Sequence, residues 1–195
     1  MAVSATASYP VRLEIDPAAT QGRWTVFFRI LMLFPHLIVF GAINGALATG
    51  AIIAWFAIVF AGRYPDSLLR FQIGLHRWNA RLNAYQLLLT GAFPPFGVEP
   101  EESYPVRLQV DERALDRNRL TTFFRVFLII PHLIVVAILG FVASILVFIS
   151  WFIALFTGSV PDGLHNFVAG YHRWNTRYSA YAFLLVDDYP PFRLE

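Results

Sequence analysis

Arginine and histidine recur together in this chain at spacings suited to holding an anion. Arg29 precedes His36 by seven residues, and Arg125 precedes His132 by the same interval. Seven residues is close to two helical turns, so each arginine shares a helix face with its histidine. Pro35 and Pro131 stand immediately before the two histidines. A proline lacks the backbone N–H, so the carbonyl four residues earlier loses its helical partner. Inside an apolar segment a side chain must satisfy that carbonyl. Two readings follow. In one, Arg29 and Arg125 snorkel to an interface while His36 and His132 bond a carbonyl or the other half of the chain. In the other, the four side chains hold a lipid phosphate or a fatty-acid carboxylate, because ionisable groups inside membranes tend to mark sites.

A second constellation is the tetrapeptide His-Arg-Trp-Asn, at His76, Arg77, Trp78 and Asn79 and again at His172, Arg173, Trp174 and Asn175. On a helix that starts near Pro65, Arg70, Gly74, Arg77 and Arg81 fall on one side. Asn166, Gly170, Arg173 and Arg177 do the same in the second occurrence. Arginine beside tryptophan and tyrosine suits the headgroup layer of a bilayer. An anionic lipid there adds about 1 kcal/mol per arginine. The same residues would equally serve to lock their helix onto the strand of their own half, or to form two walls of a shared headgroup groove. Nucleic acid is a poor partner, since the formal net charge is only +2.

Catalysis and metal binding have no foothold in these spacings. There is no HExxH, no GxSxG, no phosphate loop or dinucleotide fingerprint, and no pair of carboxylates beside a histidine. The chain has no Cys, which excludes disulfides, thiolate metal sites and thiol nucleophiles. Asp66 and Asp162 follow a proline and read as helix-start residues set against the dipole. The expectation is a protein that is not an enzyme and uses neither cofactor nor metal.

The elements that position these residues are written twice. "SYPVRLEID" at 8–16 returns as "SYPVRLQVD" at 103–111, "FFR" at 27–29 returns at 123–125, "PHLIV" at 35–39 returns at 131–135, and "PPF" at 94–96 returns at 190–192. A period of about ninety residues is too long for a solenoid unit and marks a duplicated domain, with repeats at 1–98 and 99–195. Each repeat opens with strict alternation, as in Val11, Leu13 and Ile15 against Arg12, Glu14 and Asp16, which predicts a half-buried strand. A long apolar run follows, then the amphipathic stretch with His-Arg-Trp-Asn, then a Pro-Pro tail that cannot be helical.

The apolar runs set the solvent. Of the 195 residues, 57% are hydrophobic and 14% charged, and 19 are Phe. Such a surface calls for lipid. No Asp, Glu, Lys or Arg occurs from Ile30 to Gly62 or from Val126 to Pro161. One straight helix over such a run would measure roughly 57 Å, against about 30 Å of hydrocarbon. A hairpin of two short arms is therefore expected in each repeat, with its tip in the glycine-rich "GAINGALATG" (41–50) and, less marked, in "AILGFVASIL" (137–146). Arginines flank both ends of each run: Arg23 and Arg29 before the first with Arg63, Arg70, Arg77 and Arg81 after it, and Arg113, Arg117, Arg119 and Arg125 before the second with Arg173 and Arg177 after it. That pattern places both ends of each run, and both chain termini, on the cytoplasmic side, and makes the units parallel repeats about an axis along the membrane normal. A single long tilted span per unit is the rival, and would invert one unit. The N-terminal "MAVSATASYP" has neither a basic start nor an apolar run, so no cleaved leader is expected.

The repeated "YPVRLEID", "FFRILMLFPHLIV", "RYPDSLLRFQIGLHRWNARLNAY" and "FPPF" together resemble a bacterial integral-membrane family, domain-of-unknown-function family 4389, over nearly the whole chain. The resemblance implies a bacterial membrane protein and brings no activity and no assigned site residue. The fold expected is a mostly α membrane protein of two tandem repeats. Each is a short β-strand, an apolar helical hairpin, an amphipathic interfacial helix and an extended Pro-rich tail, and together they share a small cytoplasmic β element. The function expected is that of a non-enzymatic, multi-pass plasma-membrane protein in an accessory or scaffold role. Its partners are the lipid bilayer, anionic lipid included, and another membrane protein. The alternative is a binder or transporter of lipid or small amphiphiles using the Arg/His pairs.

Overall fold

The computed structural model describes residues 9–111 and 117–195. Arg113, one of the flanking arginines, and the first eight residues of the leader reading lie outside the described residues. The alternating segment Val11–Ile15 (β1) is a strand, as is its counterpart Val106–Val110 (β2), and the two form an antiparallel ribbon. Its register pairs Leu13 with Leu108, which hold the same place in the two repeats. An antiparallel pair centred on equivalent residues has a local twofold axis through its centre. Contacts throughout the molecule repeat about that axis.

The long apolar runs are not hairpins. After the short helix Arg23–Phe27 (α1), one continuous helix runs from Arg29 to Ala61 (α2) and passes straight through 41–50. Gly62, at φ 75°, ends it in a left-handed cap. In the second repeat Arg119–Phe123 (α4) and Arg125–Leu128 (α5) lead into Ile130–Thr157 (α6), ended by Gly158 at φ 79°. The expected tips fail for an energetic reason. A glycine inside a helix costs only about 1 kcal/mol relative to alanine, whereas opening a turn there would strand several backbone groups in an apolar surrounding. Gly50 has a further use: a Cβ there would fall 1.9 Å from the Gln72 amide nitrogen, so the small residue lets the next helix press close. By length and composition Gly41–Ala61 and Ile130–Thr157 are each able to cross a membrane. At 1.5 Å per residue, α2 is about 50 Å long and α6 about 42 Å.

Asp66–Gln86 (α3) and Asp162–Ala182 (α7) carry the His-Arg-Trp-Asn segments, each starting one residue after the proline of Tyr-Pro-Asp or Val-Pro-Asp. α3 doubles back along α2: the Gln72 side chain donates to the Leu47 carbonyl at 2.9 Å, and Tyr85 lies beside Arg29 at the far end. α7 does the same along α6. Along α2 residues 29, 33, 36, 43, 47, 50, 54 and 58 form a buried stripe, spaced by three, four or seven. The opposite side of α2, from Ile30, Leu31 and Phe34 through Ile52 and Ile53 to Phe56 and Phe60, is exposed and apolar.

The halves interlock. β1 of the first repeat rests on α7 of the second, and β2 rests on α3. α1 packs on α6 and α4 on α2. The Gln21 backbone N–H donates to the Gly158 carbonyl at 2.8 Å and the Arg117 backbone N–H to the Gly62 carbonyl at 3.1 Å. Each long helix therefore begins where the other ends, so α2 and α6 run antiparallel. The result is three layers: the ribbon, then α3 and α7, then α2 and α6. Val11, Leu13, Val106 and Leu108 point from the ribbon into the middle layer. Its outer side is polar, with Arg107 paired to Asp16 at 2.7 Å.

Candidate functional site

The Arg/His residues of the long helices lie in the buried stripe and are engaged within their own repeat. Nη1 of Arg29 donates to the carbonyls of Tyr85 and, at 3.1 Å, Thr90, while Nη2 donates to Gln21 at 2.5 Å. The Tyr85 ring lies beneath the guanidinium, 4.2 Å from its centroid. Arg125 repeats the arrangement: Nη1 donates to Tyr181 at 3.2 Å and Val186 at 2.9 Å, Nη2 donates to Asp187 at 2.5 Å, and the Tyr181 ring lies at 4.0 Å. Tyr85 and Tyr181 stand in the last turns of α3 and α7, where orphan carbonyls and the negative end of the helix dipole attract a cation. Leu88 at φ 61° and Leu184 at φ 66° turn the chain back over these ends. His36 and His132 are roofed by the Pro-Pro tails, with Phe96 stacked on His36 and Phe192 on His132, both at 4.0 Å. Trp174 also donates to His132 at 3.1 Å. Trp78, its counterpart, leaves its indole N–H without an acceptor among the described residues.

The His-Arg-Trp-Asn residues sit in the middle layer. Arg173 donates to the Leu13 carbonyl at 3.3 Å and Arg77, more loosely, to the Leu108 carbonyl at 3.5 Å. These are the central residues of the ribbon, and each belongs to the other repeat. The fastening expected within one half is thus reciprocal between halves, because the strands have exchanged places. Arg81 grips the end of its own tail at the Gly97 carbonyl, at 2.5 Å, and the start of the next repeat at the Glu99 carbonyl, at 3.2 Å, and Arg177 holds the carbonyls of Arg193 and Glu195. Trp78 and Trp174 meet Phe96 and Phe192 edge-on. Arg70 points outward, paired with Asp66 one turn earlier.

Where α3 crosses α7 on the twofold axis, a polar cavity of about 130 Å³ is lined by His76, Asn79, Ala80 and Asn83 and by their counterparts His172, Asn175, Thr176 and Ser179. His76 bonds the Gln72 carbonyl through Nδ1 at 2.9 Å and the Ser179 hydroxyl through Nε2 at 3.2 Å. Nε2 of His172 donates to the Ala80 carbonyl at 3.0 Å. Burial pushes both imidazoles down to about 4, against the lesser opposing pull of those carbonyls. Both are neutral at pH 7, and each bonds across the helix crossing through Nε2.

A third feature has no signature in the residue pattern. A groove of about 450 Å³ opens between the start of α2 and the second half of α6, lined by Arg29, Ile30 and Leu33 on one side and Ser144, Val147, Phe148 and Trp151 on the other. Gln86 and Leu88 also line it. Its walls are almost wholly apolar, with the Arg29 guanidinium among them. No residue of α6 announced it, since an uninterrupted apolar run carries no contrast from which a groove could be read. A polar cleft of similar size beside β1 is lined by Arg107, Arg173 and Arg177, which are occupied by carboxylates or carbonyls as described. Among the described residues, no three His, Asp or Glu side chains gather as a metal set.

No curated protein and no solved structure matches the chain. The model of one family, domain of unknown function DUF4389, matches twice, over residues 23–97 and 119–193. Each match runs from the first turn of the lead-in helix, through the long helix and the His-Arg-Trp-Asn helix, to the tail that roofs the histidine. The chain therefore belongs to the DUF4389 family, as two tandem copies of its domain.

Proposed function

We propose that the protein is a non-enzymatic component of the bacterial plasma membrane, acting as an accessory or scaffold element for other membrane machinery. The observation that carries this reading is the outer face of α2 and α6. It is rich in Phe, Ile and Leu, free of charge along both helices, and exposed in the single chain. A face of that extent on a water-soluble monomer would drive association. The residues with chemical potential are meanwhile committed to internal carbonyls, so they build the body and leave its surfaces to do the work. Isolation in a mild detergent followed by native mass spectrometry tests the reading. A co-isolated membrane protein supports it, and a chain that runs monodisperse and alone in plain buffer refutes it.

A second reading, binding of a lipid or small amphiphile, is favoured by the groove between α2 and α6. An apolar trough with a guanidinium in its lining matches an acyl chain bearing an anionic head. Ser144→Trp places a large side chain at its wall while leaving Arg29 unsubstituted. The variant should lose a lipid adduct that the wild type retains. Equal retention by both removes this reading.

A further inference from the structure

We infer that α2 and α6 lie in the plane of the membrane, embedded in one leaflet, rather than crossing the bilayer. This rests on the reading of the protein as membrane-bound and fixes how it binds. Three observations carry it.

The first is direction. α2 and α6 are antiparallel, each starting at the other's end through the bonds of Gln21 with Gly158 and Arg117 with Gly62. Two antiparallel spans would put α3 and α7, which follow them, on opposite sides of a bilayer. Yet α3 and α7 touch, with His172 bonded to the Ala80 carbonyl, and their strands pair in one ribbon. The second is the layer beneath. α3 runs alongside α2 from Gln72 opposite Leu47 to Tyr85 beside Arg29, and the ribbon covers α3 and α7 in turn. If α2 stood upright, Glu14, Asp16 and Arg107 would lie at hydrocarbon depth, where each charge is costly. The third is the outer face itself. On α2 large apolar residues are exposed from Ile30 to Ile38 and again from Ile52 to Phe60, with the small residues Gly41, Ala42, Ala48 and Thr49 exposed between them, and α6 exposes large apolar residues from Ile130 to Phe156. The molecule is an amphipathic slab, apolar on one side and charged on the other.

The surface that fits is a single phospholipid leaflet. Apolar rings and branched side chains enter its acyl region, while exposed cations at both ends of the slab meet the headgroups. Arg23 lies beside Gly158 at one end and Arg119 beside Gly62 at the other, and Trp24, 76% exposed, sits next to Arg23. Tryptophan and arginine are the side chains that favour this interface. Arginines at both ends of each run thus face one side of the membrane because the helices lie flat, with the twofold axis along the membrane normal.

The chain lacks cysteine, so single-cysteine variants report position cleanly. Thr20→Cys and Ser67→Cys flank α2 and are both exposed. Nitroxide labels at Ile38→Cys, Ala48→Cys and Phe56→Cys sample its outer face. The full chain is bound to preformed phosphatidylglycerol–phosphatidylethanolamine vesicles. It is then treated with a membrane-impermeant maleimide before and after solubilisation, and label depth is read by spin-label accessibility to oxygen and to a polar relaxant. Equal labelling at 20 and 67 without solubilisation, with one shallow depth along 38, 48 and 56, is the result expected. Protection of only one of 20 and 67, with depth changing along the helix, overturns the in-plane arrangement and leaves membrane residence intact. Failure to float with vesicles, together with a stable dimer in plain buffer, overturns both, because the apolar faces would then cover each other.

Discussion

Acidification should loosen the crossing of α3 and α7, and the amount follows from its two histidines. Both titrate near 6.5 when unfolded and are held at about 4 by burial in the fold. Between those values the unfolded chain binds more protons than the folded one, so stability rises with pH across this window. The stabilising contribution is complete above about pH 6.5 and is lost as pH falls towards 4. At pH 5 each histidine has surrendered about 2 kcal/mol relative to pH 8, and the pair about 4 kcal/mol. For a chain of this length that lowers Tm by about 10 °C. Around His76 stand Gln72, Ser179 and the edge of Phe183, and His172 faces Ala80 with Arg173 as its one charged influence. No carboxylate among these waits to stabilise an imidazolium. The assay is thermal denaturation in nonionic detergent at pH 8, 6.5 and 5, for the wild type and for His76→Gln combined with His172→Gln. The double variant should be less stable at pH 8 yet lose far less on acidification. A wild type and a double variant that fall by the same amount would refute the reasoning.

Gly170→Ala should cost about 1–3 kcal/mol, since its Cβ would come within 2.9 Å of Leu194 Cβ and 3.0 Å of the Leu194 carbonyl; a tail-specific increase in proteolysis near Phe192, together with the lower Tm, checks it. Gly74→Ala should do the same against Val98. Arg125→Met strips the buried donor set from the end of α7 and should lower stability by about 3–5 kcal/mol, whereas Asp187→Asn should cost much less because Tyr181 and Val186 still receive the guanidinium; denaturant midpoints in detergent compare the two. Arg173→Leu should expose β1 amides to hydrogen exchange although β1 lies in the other repeat, and unchanged exchange there would argue against the reciprocal fastening.

Much of the local structure was legible. Strict alternation in Val11–Ile15 named a strand and its inward face, and Pro-Asp marked the starts of α3 and α7. Alternation identifies a face, however, and says nothing of which partner it meets. When a sequence is duplicated, β1 fits the helix of either repeat on pattern alone, so the exchange between halves was invisible. The long helices depart from the expected hairpins because glycine breaks a helix only weakly, and in a continuous apolar run the intact helix is the cheaper state. Their buried stripe was hidden for a related reason: with apolar residues on every side, periodicity has no contrast. Only Arg29, His36, Arg125 and His132 mark it with polar contrast; in the structure the arginines meet helix-end carbonyls and the histidines stack under the tails. The groove between α2 and α6 needs the antiparallel pairing to exist, which no residue pattern encodes.

The pairing of Leu13 with Leu108 has a consequence for ancestry and for engineering. A single repeat offers a strand with nothing beside it and a helix with nothing on top, and a second identical copy supplies both. The half-length polypeptide should assemble as a symmetric homodimer, and the tandem chain is that dimer written on one strand of message. Cutting the covalent joint near Glu101 and Glu102 would then leave two fragments that find each other again.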